Sequence, residues 1–462
     1  MHGKCKKLLE KCAFSLKGDA LMYIPKDRKT ELLFKELLPL GGKLDDNNRW
    51  FKYHSLIDWD KLEKEYLKYF SHTGRPALDA RLVIGALCIK HMMGVSDVEV
   101  VIMIQENPYM QYFCGLEQFA TKRLFDDSSL TKLRKKLGVK FFRELERNII
   151  EELKKKRIIR SRGMMVDATV FPSNIRYPTD TGLLNDAREW LVKVIDELGK
   201  ELGKRVRTYK RVARKTYLTL TKKKNKTVKE IRRGKKQMLQ YVRRNIKQLE
   251  ELLDKMTGLE YAVRGKVIEK LKVVEKIYEQ QRELYKEKTR QIKDRIVSLH
   301  QPEVRPICRG KAGKKTEFGP KGALTLVDKF LFLDKLVNSA FSEAETELVS
   351  AQLGSFGEKF GKKPGYCIGD GLYGTRDNRE MLKDKEIRDA FKKLGRKANE
   401  RSKEYKWKRK KQRERNRIEG FIGNLKEHYE CRRIKYRIAG GDEIWVRMGL
   451  AMMNLHTATQ RI

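Results

Sequence analysis

Three acidic residues occupy positions where a carboxylate could take part in chemistry. Asp167 interrupts the apolar run MMVDATV, and a charge inside such a β-type run is costly unless it is paired or coordinated. Asp370 ends YCIGD at the carboxyl end of a predicted strand, where α/β proteins often place their sites. Glu419 lies on a predicted helix, in RNRIEGFIGNLK. Each acid alone also fits a turn, a cap or a surface position, and three further loop or cap acids compete with them: Asp180, Asp186 and Asp377.

Taken together, the three acids suit the binding of divalent cations. Cleavage of a phosphodiester is slow because the nucleophile must approach an anion. Two Mg²⁺ ions about 3.5–4 Å apart activate the attacking oxygen and stabilise the leaving oxygen. Mg²⁺ prefers carboxylate oxygens, so acids on rigid elements would hold it, with Mn²⁺ as a substitute ion. The residue types therefore point to metal-dependent phosphodiester chemistry.

The basic residues indicate a polyanionic partner. The chain has 462 residues, with 105 Lys and Arg against 62 Asp and Glu, and a formal charge of +43. Residues 201–250 contain 19 Lys and Arg against 3 acids, and residues 401–437 contain 15 against 5. Each Lys or Arg that contacts a phosphate releases counterions, so these blocks favour nucleic acid. A solvated helix face or a ribosomal-RNA type of anchor would explain the same charge.

Several classes of protein do not fit the sequence. The longest uninterrupted apolar stretch, residues 82–89, is shorter than the ~18–20 residues that span a bilayer. The beginning, MHGKCKKLLEKCAF, lacks the apolar segment and cleavage site of a secretion signal. The seven cysteines are scattered and include no C-x-x-C pair, so neither a disulfide framework nor a structural zinc site is expected. We therefore expect a cytoplasmic protein without a membrane partner.

The first part of the chain is predicted to be helical. RPALDARLVIGALCIKHMMG ends at Gly94, and Ser96 with Glu99 forms a capping-box pattern for the next helix. A short basic helix closes at Gly138, and a longer amphipathic helix follows it. Residues 1–160 therefore suit an N-terminal helical DNA-binding domain, although ordinary helix packing would give the same periodicity.

The rest of the chain alternates between strands and helices around a long helical block. GMMVDATV and PGYCIGD are predicted strands, and KGALTLVDKFLFLDKLV gives two strands around Asp328. Residues 300–322 are predicted to be loop-like, and the chain ends in a basic helix and an apolar one. Residues 185–300 repeat Leu, Ile and Val at helical spacing and include the first basic block. We predict an α/β catalytic domain at 161–184 and 301–462, interrupted by a basic helical insertion at 185–300.

These segments resemble the DDE transposases of bacterial insertion sequences, in particular the insertion-sequence-five family, over about residues 75–455. MMVDATVFPSNIRYPTDTGLLNDARE is similar to the first-Asp segment of that family, and GDGLYGTRDNREML to its second-Asp segment. The most specific feature is the signature Y-x₂-R-x₃-E-x₆-K. Arg415, Glu419 and Lys426 fit this signature, whereas Gln412 occupies the Tyr position.

The resemblance implies an RNase H-like mixed sheet with flanking helices. It also implies that Asp167, Asp370 and Glu419 form a DDE triad that holds two Mg²⁺ ions. Arg415 and Lys426 are expected to contact phosphate near the cut. Their offsets of −4 and +7 from Glu419 place all three on one helix face.

The function that follows is DNA transposition. We expect the protein to bind the terminal inverted repeats of its element as double-stranded DNA, cleave them, and join the 3′-hydroxyl to target DNA. Two ends require two active sites, so a homodimer in the DNA complex and an association with the bacterial nucleoid are expected. The charge pattern adds further DNA-binding candidates: Arg417, Lys210, Arg211, Arg214, Lys215, Arg232 and Arg233. The alternatives are an RNase H-like DNA nuclease without strand transfer and a non-catalytic nucleic-acid-binding protein.

Overall fold

The computed structural model describes residues 43–71, 76–255, 261–289, 291–308, 316–337, 348–392 and 402–462. The chain divides into two compact units. The first consists of residues 1–169, 322–336 and 345–462, and the second of residues 170–321 and 337–344. The N-terminal helices and the sheet strands thus belong to the same unit. The domain bounds stay a prediction: a DNA-binding domain at 1–160, a catalytic domain at 161–184 and 301–462, and a basic helical insertion at 185–300.

The described helices, in chain order, are α1 (Arg49–His54), α2 (Trp59–Leu67), α3 (Ala80–Met93), α4 (Asp97–Glu106), α5 (Pro108–Phe113), α6 (Ser128–Lys155), α7 (Asp180–Glu201), α8 (Lys210–Lys222), α9 (Val228–Leu253), α10 (Tyr261–Lys286), α11 (Leu348–Phe360), α12 (Arg376–Asp384), α13 (Lys403–Glu414), α14 (Asn416–His428) and α15 (Gly441–Thr459). The strands are β1 (Met164–Val170), β2 (Pro306–Cys308), β3 (Thr316–Phe318), β4 (Lys321–Val327), β5 (Phe330–Val337), β6 (Tyr366–Ile368) and β7 (Arg388–Asp389).

Local signals in the sequence set the ends of the N-terminal helices. Ser96 accepts a hydrogen bond from the backbone N–H of Glu99 and so caps α4. Gly94 ends α3 with φ +68°, a left-handed conformation that glycine adopts without strain. Gly138 interrupts α6 at φ 60° and ψ −178°, where the sequence predicts the end of a helix. These boundaries agree with the prediction because capping depends on neighbouring residues.

A five-stranded mixed sheet with the order β5-β4-β1-β6-β7 forms the centre of the first unit. β1 pairs with β6, and β6 with β7, in parallel. Only two residues separate β4 from β5, so these two strands form an antiparallel hairpin. Asp328 lies in its turn with φ +59°. The predicted strands around Asp328 are confirmed, whereas β7 has only two residues and was not predicted.

Apolar helices cover this sheet. α15 is buried along most of its length, and the side chain of Asn454 exchanges hydrogen bonds with the backbone of Leu331 in β5. α14 buries Ile418, Ile422 and Leu425 on one face, while Glu419 stays exposed. The 3–4 spacing of the apolar residues therefore determines which face of α14 presents the predicted catalytic acid.

The second unit contains the long helices α7 to α10. α7 and α9 bury Leu191, Ile195, Val242 and Leu249 in a common apolar core. The strands β2 and β3 also lie in this unit and pair antiparallel, with Ile307 opposite Glu317. The prediction that residues 300–322 are loop-like was therefore wrong for these two strands. Each has only three residues and lies among the Pro and Gly residues that led to the loop prediction.

Candidate active site

The parallel pairing of β1 with β6 brings Asp167 close to Asp370. Met164 lies opposite Cys367, and Met165 lies opposite Ile368. Continued by two residues, this register places Asp370 across from Asp167. Neighbouring strands run about 4.8 Å apart, so this continuation of the register puts the two residues side by side, Asp167 in the middle of β1 and Asp370 two residues past the end of β6.

Close packing fixes the two strands at this point. A Cβ at Gly369 would lie 2.9 Å from Cγ2 of Val166 and 2.8 Å from the ring of Phe391, so only glycine fits without a shift. Asp167 accepts a hydrogen bond from the backbone N–H of Ala168 at 2.8 Å. Asp370 likewise accepts from Gly371 at 2.5 Å, where a short 3₁₀ turn begins. Both aspartates are half-buried, and local backbone donors orient both carboxylates.

Gln412 connects the end of α13 to the strand that leads to Asp370. Its amide nitrogen donates to the carbonyl of Gly369 at 3.1 Å and also to the carbonyl of Ala390. These carbonyls follow β6 and β7, so one side chain bridges the ends of two neighbouring strands. The residue that departs from the family signature therefore makes defined contacts beside Asp370.

Lys426 makes the corresponding contact with β1. Its ammonium group donates to the hydroxyl of Thr169 at 2.8 Å. Thr169 and Asp167 lie on the same face of β1, because side chains two residues apart share a face. Glu419 lies seven residues after Gln412 and seven before Lys426, so it is midway between two attachments to the sheet beside the aspartates.

The carboxylate of Glu419 is engaged in an ion pair. Oε1 lies 2.9 Å from Nη1 of Arg415, and the side chain of Glu419 is 56% exposed. Within the described part of the chain, no group of three or more His, Cys, Asp or Glu side chains lies close enough to hold a metal ion. The structure thus places the two aspartates together and leaves Glu419 paired with the arginine of its own signature.

The remaining predicted DNA-binding residues have varied surroundings. Arg417 is exposed, and its guanidinium donates to the backbone carbonyl of Asp328 at 3.1 Å. In the second unit, Lys210 pairs with Asp196 at 2.7 Å, and the guanidinium of Arg232 lies 4.7 Å from the ring centre of Tyr285. The candidates on α8 and α9 are all exposed: Lys210, Arg211, Arg214, Lys215, Arg232 and Arg233.

The three acids that compete with the proposed catalytic acids are Asp180, Asp186 and Asp377. Asp180 accepts from Lys235 at 2.8 Å and from Arg295 at 2.6 Å. Asp186 pairs with Arg176 at 3.1 Å, although burial raises the pKa of its carboxyl. Asp180 and Asp186 both belong to the second unit. Asp377 lies exposed in the first turn of α12.

Sequence reasoning missed the two attachments of the α13–α14 segment. The signal for Thr169 was present, because it follows Asp167 by two residues in a predicted strand. Gln412 was identified only as a departure from the signature. Its partners Gly369 and Ala390 are 43 and 22 residues away, and nothing in the local sequence indicates such contacts.

Two transposase families match parts of this chain. The family described as "Transposase domain (DUF772)" matches residues 39–136, and the family described as "Transposase DDE domain" matches residues 368–456. The second match includes Asp370 and Glu419 and implies an RNase H-like fold. The helices α1 to α5 lie within the first match.

This chain is also similar to a curated protein. An uncharacterized protein of Rhizobium meliloti, ORF8 in the nfe locus, is 34% identical over 163 residues. These residues make up 35% of this chain and 77% of the relative. No solved structure matches the chain significantly. Among the described helices, none is both long enough and apolar enough to cross a membrane.

Proposed function

Because the chain belongs to the DDE transposases, we propose that it binds the ends of an insertion sequence, cleaves them, and joins the 3′-hydroxyl to target DNA. The family implies a DNA substrate. We assign the chemistry to Asp167, Asp370 and Glu419. A homodimer would supply one active site to each element end.

The observation that carries this proposal is the register between β1 and β6. It directs two aspartates from distant parts of the chain to neighbouring positions, Asp167 within β1 and Asp370 two residues past the end of β6. The segment with Glu419 is tied to the same strands by Gln412 and Lys426. If the two aspartates had only a structural role, the segment that carries Glu419 would not need to be attached to their strands.

The donor set suits Mg²⁺, since the proposed ligands are carboxylates and hard cations prefer oxygen. Asp167 and Asp370 would both be ligands of the metal. Glu419 would become a further ligand when its ion pair with Arg415 opens. When bound, a pair of such ions supplies charge stabilisation for the attacking and the leaving oxygen. The protein contributes rigidity, because backbone N–H groups already orient both aspartates.

Arg415 and Lys426 would act on the phosphate. A guanidinium released from Glu419 can donate two parallel hydrogen bonds to a phosphate. Lys426 is held beside β1 by Thr169, so its ammonium group lies next to the strand that carries Asp167. The exposed lysines and arginines of α8 and α9 would bind the DNA backbone independently of sequence.

A strand-transfer assay tests the proposal. Labelled duplexes that carry the inverted repeats flanking the coding region are incubated with the protein, Mg²⁺ and a target plasmid. Transposition predicts label covalently joined to the plasmid. Cleaved ends without joined product would instead indicate a nuclease, and a gel shift without cleavage would indicate a binding protein.

A further inference from the structure

A strongly basic groove in the second unit lies along the segment between α7 and α8. Its volume is about 970 Å³, and the 14 residues that line it all lie between Ile195 and Val212. Asp196 is the acidic residue that lines it. Six cationic side chains surround the same space: Lys200, Lys204, Arg205, Arg207, Lys210 and Arg211. Such an excess of positive charge around a concave surface favours a polyanion.

The segment that forms the groove is ordered by hydrogen bonds. Lys204 donates its backbone N–H to Gly199 at 2.7 Å. Gln248, on α9, donates its side-chain amide to the carbonyl of Arg207 at 3.2 Å. Arg244, on the same helix, donates to the carbonyl of Thr208 at 3.5 Å. The cationic residues therefore project from a segment that is fixed to a helix.

Tyr209 organises two of the arginines around its ring. The guanidinium carbons of Arg207 and Arg244 lie 4.6 Å and 4.3 Å from the ring centre. The backbone of Tyr209 has φ +54°, a conformation that costs a non-glycine residue about 1–2 kcal/mol. The tyrosine is 39% exposed, so burial of the ring alone does not explain this position. Its contacts instead reduce the freedom of the Arg207 guanidinium before any ligand binds.

We propose that this groove binds the phosphodiester backbone of double-stranded DNA, with Lys204, Arg205 and Arg207 as its main contacts. The proposal rests on the proposed function, because it assigns part of the DNA binding to one surface. Guanidinium groups match phosphate geometry with paired N–H donors, and a pre-ordered side chain loses less entropy on binding. Contacts of this kind position DNA without reading its bases.

The test compares two triple variants of the full-length protein. Lys204→Gln/Arg205→Gln/Arg207→Gln neutralises the groove, and Lys272→Gln/Lys276→Gln/Lys286→Gln removes the same charge from exposed positions on α10. Fluorescence anisotropy of a labelled duplex gives the affinity across a salt series. We expect the groove variant to bind at least about tenfold more weakly at low salt, with a salt slope shallower by ~0.9 per lost contact. The α10 variant should change affinity by about twofold or less.

Two changes at Tyr209 test the role of its ring. Tyr209→Phe keeps the ring and should bind DNA like the wild type. Tyr209→Gly tolerates the positive φ better than tyrosine, so weaker binding cannot be attributed to backbone strain. We expect a fall in affinity of about threefold to tenfold, because Arg207 regains its freedom. Circular dichroism verifies that both variants fold.

The outcomes separate this inference from the proposed function. If the groove variant matches the α10 variant in affinity and slope, the groove does not bind DNA. If Lys215→Gln/Arg232→Gln/Arg233→Gln loses binding and the groove variant does not, transposase function stands and the groove assignment fails. Absence of duplex binding by the wild type would count against the proposed function itself.

Discussion

Asp370 follows β6 by two residues, at the position that the register between β1 and β6 sets across from Asp167. The observed pairs Met164–Cys367 and Met165–Ile368 are offset by 203 positions, and Asp167 and Asp370 have the same offset. A shift of the register by one residue would turn one carboxylate to the other side of the sheet. The proximity of the two acids therefore depends on the pairing of β1 with β6.

Removing either aspartate should abolish catalysis and preserve DNA binding. Asp167→Asn or Asp370→Asn keeps the size of the side chain but removes a negative ligand. Loss of several kcal/mol of transition-state stabilisation corresponds to a rate lower by about a thousandfold or more. Strand transfer measures the rate, and a gel shift measures binding. Asp377→Asn, an exposed acid near Asp370 in sequence, is the control and should stay active. Full activity in either Asp variant would remove that residue from the site.

Glu419 and Arg415 should have opposite effects on metal binding. The ion pair between them competes with a cation for the carboxylate. Glu419→Gln should therefore weaken the binding of Mn²⁺ to the DNA-free protein and abolish cleavage, while Arg415→Gln should strengthen Mn²⁺ binding. Isothermal titration calorimetry measures both affinities. Unchanged affinity in both variants would argue against Glu419 as a ligand.

Gln412 should affect catalysis by holding Asp370 in position, because it contacts backbone carbonyls beside that residue. Gln412→Ala removes two hydrogen bonds worth about 1 kcal/mol each. Gln412→Glu should be worse, since a carboxylate of the same shape cannot donate to the carbonyls of Gly369 and Ala390. We expect cleavage to slow by about tenfold to a hundredfold with unchanged DNA affinity, as for small displacements of a catalytic group.

The control for this experiment is Gln460→Glu, an exposed change near the end of α15. Gln412→Tyr restores the residue of the family signature and supplies one hydroxyl donor, so it should be more active than Gln412→Glu. Equal activity of the Tyr and Glu variants would contradict a role for hydrogen-bond donation.

Asp97 should stabilise the first unit in a pH-dependent manner. Burial alone would raise the pKa of its carboxyl, but hydrogen bonds and charge from Arg134 and Lys90 outweigh burial and lower it. Because the pKa of Asp97 is lower in the folded than in the unfolded state, its carboxylate contributes fully to the free energy of unfolding above about pH 4. It is lost as the pH falls through the lowered pKa.

Asp97→Asn should therefore destabilise the protein by about 1.5–3 kcal/mol at neutral pH, because it weakens hydrogen bonds to the charged side chain of Arg134, which is only 4% exposed. The difference from wild type should shrink in acid. Urea denaturation at several pH values measures it, with the exposed Asp60→Asn as the control. A constant difference down to pH 3 would contradict the assignment.

Local patterns in the sequence were sufficient for much of the fold. The cap at Ser96, the break at Gly138 and the hairpin around Asp328 each depend on a few adjacent residues, and all three are observed. The strands β2, β3 and β7 were missed because each has only two or three residues and none of them, unlike the equally short β6, ends in a Gly-rich turn that follows an apolar run.

The sequence by itself indicated the candidate catalytic residues and the helix face on which Glu419 lies with Arg415 and Lys426. The spacing of Arg415, Glu419 and Lys426 follows the helical repeat, so it can be read without a structure. Only the tertiary structure decided the contacts between distant residues. It brings Asp370 beside Asp167, Gln412 to two carbonyls that follow strands, and Tyr209 between two arginines. The physical reason is that strand register and packing join residues far apart in the chain, and no local propensity encodes such contacts.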